Sequence, residues 1–203
     1  MTNTITYTGR YYNGTRDALL PKIQAAMSDY RFTHVLRVEQ MALVLAGQWG
    51  ADLEAASIAA LTHDYAKERS DADFIATIKA QNLDPELLKW GNNVWHGIVG
   101  AELVRSELGI TDPQILSAIQ KHTTGAAVMT LLDKIIYMAD YVEAGRDFDG
   151  IDEVRALAQT DLDASVGWQA GHTLAYLAAK RVPIYPLALE TYNAWAIKTQ
   201  KNG

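Results

Sequence analysis

Six ionisable side chains lie in the middle of the chain, at positions where a helix would face inward. Four of the five histidines and two aspartates make up this set: His34, His63, Asp64, His96, His122 and Asp140. Burying an ionisable group without a partner is costly, so six such groups on inner faces need a partner that they share. A transition metal ion, or a pair of them, can satisfy imidazoles and carboxylates together. The sequence therefore predicts a metal site where several helices converge.

Helical periodicity dominates the chain from residue 16 onward, and no alternating run typical of a strand appears. Capping residues predict where the helices begin, and glycines predict where two of them end. They are Thr33, Asp52, Ser70, Asp84 and Asp112 for the starts, and Gly50 and Gly109 for the ends. We predict an all-α protein with a lead-in or tail over residues 1–15 and a single domain, a helical bundle, over residues 16–199.

Each of the six residues extends an apolar stripe at or near one end of its predicted helix. Asp140, for example, closes a row that contains Leu132 and Ile136. The neighbours His63 and Asp64 would diverge by about 100° on an ideal helix. They can reach one centre if the helix ends there, or if Asp64 bridges two metals.

Composition limits the classes of function. The hydrophobic fraction of 49% and the charged fraction of 21% are typical of a globular protein. The net charge of −6 argues against nucleic acids and anionic membranes as partners. The absence of cysteine excludes thiolate zinc sites and fits a cytoplasmic protein. We see no signal peptide and no apolar run near the ~20 residues that a membrane span requires.

The ordered set His34, His63-Asp64 and Asp140 resembles the HD-domain phosphohydrolase superfamily, and the added His96 and His122 resemble its six-ligand subset. The flanking residues resemble the bacterial YqeK family; they are residues 31–34, 63–67, 122–125 and 134–146. The likeness extends over residues 17–195. Ala144 and Asp149 stand where that family often has prolines, a departure that concerns loop stiffness more than chemistry.

The resemblance implies metal-dependent hydrolysis of a dinucleoside polyphosphate, with symmetric cleavage of diadenosine tetraphosphate into two ADP molecules. Iron is the metal that the resemblance implies, while the ligand types also suit manganese, cobalt, nickel or zinc. Two alternatives stay open. One is a phosphohydrolase of a nucleoside mono-, di- or triphosphate or a cyclic nucleotide, and the other is a nucleotide sensor that binds without turnover. The oligomeric state also stays open, with a homodimer among the alternatives.

The six residues can hold the metal in two ways. In one, Asp64 bridges two ions and the histidines and Asp140 surround them. In the other, His34, His63, Asp64 and Asp140 bind one ion, while His96 and His122 face the phosphates as donors. In both, a metal-activated water is the nucleophile. We therefore expect His96 and His122, with Asp64, to be catalytic, and both histidines also to bind substrate.

An acidic protein needs local cations to hold a polyphosphate. Lys67 lies one helical turn beyond His63 and Arg146 lies six residues past Asp140, so we expect both to bind phosphate and Lys67 also to be catalytic. For Arg31 and Lys121 the sequence favours the alternative, a solvent-exposed charge.

The remaining candidates are weaker. Thr123, with the two residues that follow it, could present backbone amides to phosphate or could simply end a helix. We count it among the substrate-binding residues. Trp95 could stack on a base or pack in the core, and we expect the other four tryptophans to pack. We expect a structural role for His172.

Overall fold

Helices dominate the computed structural model, which describes residues 5–197. Within that range it contains no strand, so the predicted all-α class is confirmed. The described residues form ten α-helices, which run in chain order: α1 Arg16–Gln24, α2 Asp29–Trp49, α3 Leu53–Thr62, α4 Asp71–Ala80, α5 Asn92–Leu108, α6 Pro113–Lys121, α7 Leu131–Val142, α8 Ile151–Thr160, α9 Leu162–Lys180 and α10 Pro186–Thr191. A 3₁₀ turn at Pro85–Lys89 precedes α5, and a π-helical turn at Tyr192–Ala196 follows α10.

Local capping chemistry explains most of the helix boundaries. The side chains of Asp52 and Asp112 accept hydrogen bonds from backbone N–H groups in the first turns of α3 and α6. Ser70 and the residue three positions later form a full capping box at α4. Gly50 and Gly109 end α2 and α5 in the left-handed conformation, at φ of 74° and 70°. These predicted starts and ends are confirmed.

The start of α2 differs from the prediction. Ser28, not Thr33, is the N-cap, and its side chain accepts from the N–H of Arg31. The hydroxyl of Thr33 instead donates to the carbonyl of Asp29 within the helix. Threonine forms either bond, so its position in sequence alone does not distinguish a cap from a residue inside the first turns.

Two packed clusters make up the interior. In the larger one, α2 packs on α3 and α7, α3 packs on α6 and α7, and α6 packs on α7. Its side chains are mainly aliphatic and fully buried. In the smaller one, α4, the 3₁₀ turn and α5 enclose Phe74, Trp95 and Val99. Because α5 also packs on α6, the two clusters are joined at that pair of helices.

Residues 5–15 contain no helix but pack against the rest of the chain. The Tyr7 hydroxyl lies 2.8 Å from the hydroxyl of Ser57, and Thr8 donates two hydrogen bonds to Glu54. The division into residues 1–15 and 16–199 stays a prediction, and residues 1–4, 198 and 199 lie outside the described range. Among the described residues, no helix combines the length and apolar character needed to span a bilayer.

Candidate metal centre

The six predicted ligands come together at the ends of five helices. His63 and His122 directly follow the last residues of α3 and α6, at their C-caps. His34 and His96 lie in the second turns of α2 and α5, and Asp140 lies in the last turn of α7. Since α3 ends at Thr62, Asp64 lies in a turn rather than on the helix. The divergence of about 100° that an ideal helix would impose on His63 and Asp64 therefore does not apply.

Asp64 lies at the middle of the cluster, with two histidines on each side of its carboxylate. Its Oδ2 lies 3.7 Å from His34 Nε2 and 3.6 Å from His63 Nε2. Its Oδ1 lies 3.5 Å from His96 Nε2 and 3.6 Å from His122 Nε2. Every imidazole thus presents the same nitrogen to Asp64. The atoms lie close enough together for three overlapping groups of three ligands.

The outer nitrogen of each imidazole is anchored. Nδ1 of His63, His96 and His122 lies 2.6, 2.6 and 2.7 Å from the backbone oxygens of residues 60, 92 and 119, respectively. Nδ1 of His34 lies 3.2 Å from Glu143 Oε1. A carbonyl oxygen can only accept, so Nδ1 donates and, in the neutral ring, Nε2 presents a lone pair to the centre. This is the arrangement that metal-binding histidines adopt.

Two of the four inner nitrogens lack a hydrogen-bond partner, and the other two share theirs. Nε2 of His34 and His63 is buried without a hydrogen bond, and the first of them lies 3.1 Å from Asp140 Oδ1, another acceptor. Nε2 of His96 and His122 are 3.1 Å apart. Thr123 Oγ1 lies 3.0 Å from both, but a single hydroxyl proton can serve only one of them. Converging lone pairs and carboxylates require a cation, and the donor set fits a divalent metal without sulfur ligands.

Burial keeps the donors in the form that binds metal. It lowers the pKa of His63 to about 4 and, with help from neighbouring cationic groups, that of His96 to about 3. Burial alone would raise the pKa of Asp64 and Asp140, but the imidazole and cationic groups around them hold both well below the ordinary range. At neutral pH these histidines are neutral and both aspartates are ionised, as coordination requires.

A cavity of about 920 Å³ opens onto the centre. Asp64, His96 and Asp140 form part of its wall, and the cations Lys67 and Arg146 lie beside them, together with Thr123. Lys67 Nζ is 3.4 Å from His96 Nε2, and Arg146 Nη2 donates to Asp140 Oδ1 at 2.7 Å. Burial is the main reason why the pKa of Lys67 is lowered. The structure therefore brings all the predicted substrate-binding residues to one region, although their roles stay predictions.

Two residues of the site were not expected from the sequence. Arg31 is not a solvated surface charge: its Nη1 donates to Asp64 Oδ2 at 2.7 Å, and it lines the cavity. Glu143 is almost fully buried and accepts from Arg37 and from the N–H of Gly145 as well as from His34. In the sequence, the one sign that Glu143 belongs to the site was its position just past the end of α7. Arg31 could have been found only from its place one turn before His34.

The other residues considered from the sequence fall outside the centre. Trp95 is buried and its Nε1 donates to the carbonyl of Leu87, so it packs rather than stacks on a ligand. Lys121 binds Asp133 at 2.7 Å and ties α6 to α7. The ring of His172 stacks on that of Trp168, one helical turn earlier, and it does not line the cavity. Trp90 packs against the smaller cluster, as expected, and it also lines the cavity.

Comparisons with known proteins agree with this geometry. The family model described as HD domain matches residues 31–145. The chain is 40% identical over 182 residues to the symmetrical bis(5'-nucleosyl)-tetraphosphatase of Bacillus subtilis (strain 168), covering 90% of this chain and 97% of that protein. The protein of the same name from Halalkalibacterium halodurans is 39% identical over 178 residues, with 88% and 95% covered.

A solved structure agrees in fold. It is described as a predicted HD superfamily hydrolase involved in NAD metabolism from Clostridium acetobutylicum. It is 33% identical, superposes with a TM-score of 0.85, and the match covers 91% of this chain and 98% of that one. The chain therefore belongs to the HD-domain family and, within it, to the YqeK-type proteins that these relatives represent, as its motifs predict.

Proposed function

We propose that the protein hydrolyses diadenosine tetraphosphate, or a closely related dinucleoside tetraphosphate, symmetrically into two nucleoside diphosphates. The observation that carries this proposal is a centre of four histidines and two aspartates that opens into a cavity lined by cations. The relatives named as symmetrical tetraphosphatases support the choice of substrate. Nucleotide substrates of this kind would place the protein in the cytoplasm.

The six ligands divide into two groups around Asp64. We propose that His34, His63 and Asp140 hold one metal ion and that His96 and His122 hold a second, with Asp64 shared between them. Oδ2 of Asp64 faces His34 and His63, whereas Oδ1 faces His96 and His122. This division supports two ions over a single ion. We propose iron as the metal, with manganese, cobalt, nickel and zinc as alternatives. When bound, the metal supplies a nucleophile from water at neutral pH and neutralises charge on the phosphoryl oxygens.

The protein's own cations position the polyphosphate. Lys67 points along the wall beside His96, and it is partly desolvated, which strengthens its attraction for a phosphate oxygen. Arg146 and Arg31 each hold one aspartate of the centre and also line the cavity. They can therefore share their N–H groups between the ligand carboxylates and the substrate. Thr123 contributes a hydroxyl at the same wall.

Product analysis tests the reaction. Purified protein with its metals measured by elemental analysis is given diadenosine tetraphosphate and a small panel of other nucleotides. ADP as the sole adenine product supports the proposal, whereas ATP with AMP, or free phosphate, rejects it. Rapid hydrolysis of mononucleotides or cyclic nucleotides would favour the broader phosphohydrolase. Tight nucleotide binding with no turnover, whichever metal is supplied, would favour the sensor.

A further inference from the structure

The cavity has a second wall of a different chemistry. Aromatic and aliphatic side chains from the loop before α5, from α9 and from the loop after it line this wall: Trp90, Tyr176, Leu177, Val182, Pro183 and Tyr185. Tyr176 is 61% exposed and Val182 is 45% exposed. A cluster of apolar groups left open to solvent beside a polar site is typical of a ligand-binding surface. None of these residues is a candidate metal ligand or one of the cations proposed to bind phosphate.

Trp90 differs from three of the other four tryptophans in the hydrogen bonding of its indole. The indole N–H groups of Trp49, Trp95 and Trp195 each donate to a backbone carbonyl. Among residues 5–197, no acceptor is found for the N–H of Trp90. Its ring is held edge-to-face against Tyr185, with centroids 4.9 Å apart and the planes at 90°. The indole is therefore fixed in orientation, while its polar edge stays available to a ligand.

The aromatic wall is physically connected to the phosphate side of the cavity. Residues 91–94 continue from Trp90 into α5, which carries His96, and all four line the cavity. Asn92 Nδ2 donates to the backbone oxygen of Lys67 at 3.0 Å and so ties this segment to the predicted phosphate-binding lysine. A ligand with phosphates at Lys67 would extend its other end toward Trp90.

We propose that Trp90, Tyr176 and Tyr185 form the subsite for the nucleobase and ribose of the nucleotide whose phosphates lie at the metal centre. This proposal rests on the proposed function for the choice of ligand. Every nucleobase has a flat face that stacks on aromatic rings, and the volume of about 920 Å³ lies at the upper end of the range for small-molecule sites. The cavity can thus hold a nucleoside together with several phosphates.

Equilibrium binding of two probes tests the subsite. The metal-loaded protein is titrated with ADP and, separately, with inorganic pyrophosphate, which has no base. Trp90→Ala should weaken ADP binding roughly tenfold or more, as loss of a stacked base predicts, and leave pyrophosphate binding within about twofold. Trp90→Phe should recover most of the ADP affinity. Metal content should be unchanged in both variants.

Two further variants control for folding and for nonspecific effects. Tyr176→Ala removes an exposed ring and should weaken ADP binding selectively even if Trp90→Ala fails to fold. Tyr30→Ala removes a ring that is 77% exposed but lies outside the cavity, and it should leave both affinities unchanged.

Equal ADP affinity in wild type, Trp90→Ala and Tyr176→Ala would overturn the proposed subsite, as would equal loss of ADP and pyrophosphate binding. Selective loss of ADP binding in a protein that never cleaves diadenosine tetraphosphate would support the subsite and reject the hydrolase.

Discussion

His34 differs from the other three histidines of the centre in the group that holds its Nδ1. The others are anchored by backbone carbonyls, whereas His34 is anchored by the buried carboxylate of Glu143. A carboxylate behind an imidazole raises its basicity and fixes its orientation toward a metal. Arg37 and Gly145 hold the same carboxylate and lower its pKa, against the effect of burial. Glu143 is thus positioned to strengthen one half of the centre.

We expect Glu143→Gln to weaken metal binding by about 10- to 100-fold, since an amide oxygen can still accept from His34 but carries no charge. Competition with a chelator of known affinity measures the effect. Glu107→Gln is a matched control, because Glu107 pairs with Arg69 and Tyr65 away from the cavity. If wild type and Glu143→Gln bound the metal with equal affinity in this competition, the charge of Glu143 would not tune the metal.

Asp64 is the residue on which the arrangement of the centre depends most. Its two oxygens face different pairs of histidines, so its removal separates the two halves of the site. We expect Asp64→Ala to abolish turnover and to lower the metal content measured by elemental analysis. His172→Ala, which changes a residue outside the cavity, should keep both. Full activity of Asp64→Ala would rule out the mechanism proposed above.

The role that we propose for Lys67 is to contribute charge rather than to bind the metal. Its ammonium group is partly desolvated beside His96, and Asn92 fixes the backbone of its turn. We expect Lys67→Ala to reduce kcat/KM by roughly 10- to 100-fold, the cost of a lost charge-assisted hydrogen bond, with metal content kept. Lys79→Ala, at an exposed position on α4, should change neither quantity. If the two variants had the same kinetics, Lys67 would have no role at the phosphates.

At the scale of helices, the close approach of α5 to α6 sets the spacing of two ligands. Gly97 follows His96, and a Cβ at its position would lie 3.1 Å from the carbonyl oxygen of Gln120 and 3.2 Å from that of Ile119. The second of these oxygens also anchors Nδ1 of His122. Backbone atoms yield little, so a side chain here would push α5 away and alter the 3.1 Å separation between the two histidines.

We expect Gly97→Ala to weaken binding of the second metal ion, with a lower metal-to-protein ratio in elemental analysis. Gly47→Ala is the matched control, because Gly47 is an exposed helical glycine with open space around its Cα. That control should stabilise the protein by about 0.5–1 kcal/mol through the higher helix propensity of alanine. A full metal complement in Gly97→Ala would mean that α5 can shift without disturbing the centre.

The sequence predicts the helices and the candidate ligands better than it predicts the residues that support those ligands. Asp52 and Gly50 mark helix ends through bonds that are local in the chain, and these ends are confirmed. The six candidate ligands were identifiable because an ionisable group at the end of an apolar stripe is unusual by itself. Arg31 was misjudged, and the place of Trp90 on the cavity wall was not foreseen, because a cation or an aromatic ring is ordinary in sequence. Only the fold reveals that each faces the cavity.

At the scale of the whole molecule, five helices bring their ends to one point, where imidazole lone pairs and carboxylates converge. The apolar cores around α2, α3 and α7 hold these ends together and also exclude water from the histidines. That exclusion lowers the pKa values of His63 and His96, so the fold itself disfavours their protonation. Stability of the metal-free protein should therefore depend on pH.

For a histidine whose pKa is lower in the folded state, the unfolded chain binds protons first as the pH falls. The resulting loss of stability begins near the unfolded pKa of about 6.5 and ends near the folded values of about 4 for His63 and about 3 for His96. Each should lower the free energy of unfolding by about 1.4 kcal/mol per pH unit within that window. Urea unfolding of the metal-free protein between pH 7 and pH 4 measures the slope. His96→Gln should reduce it by one histidine's share, and a flat profile would mean that these imidazoles are not shielded from water.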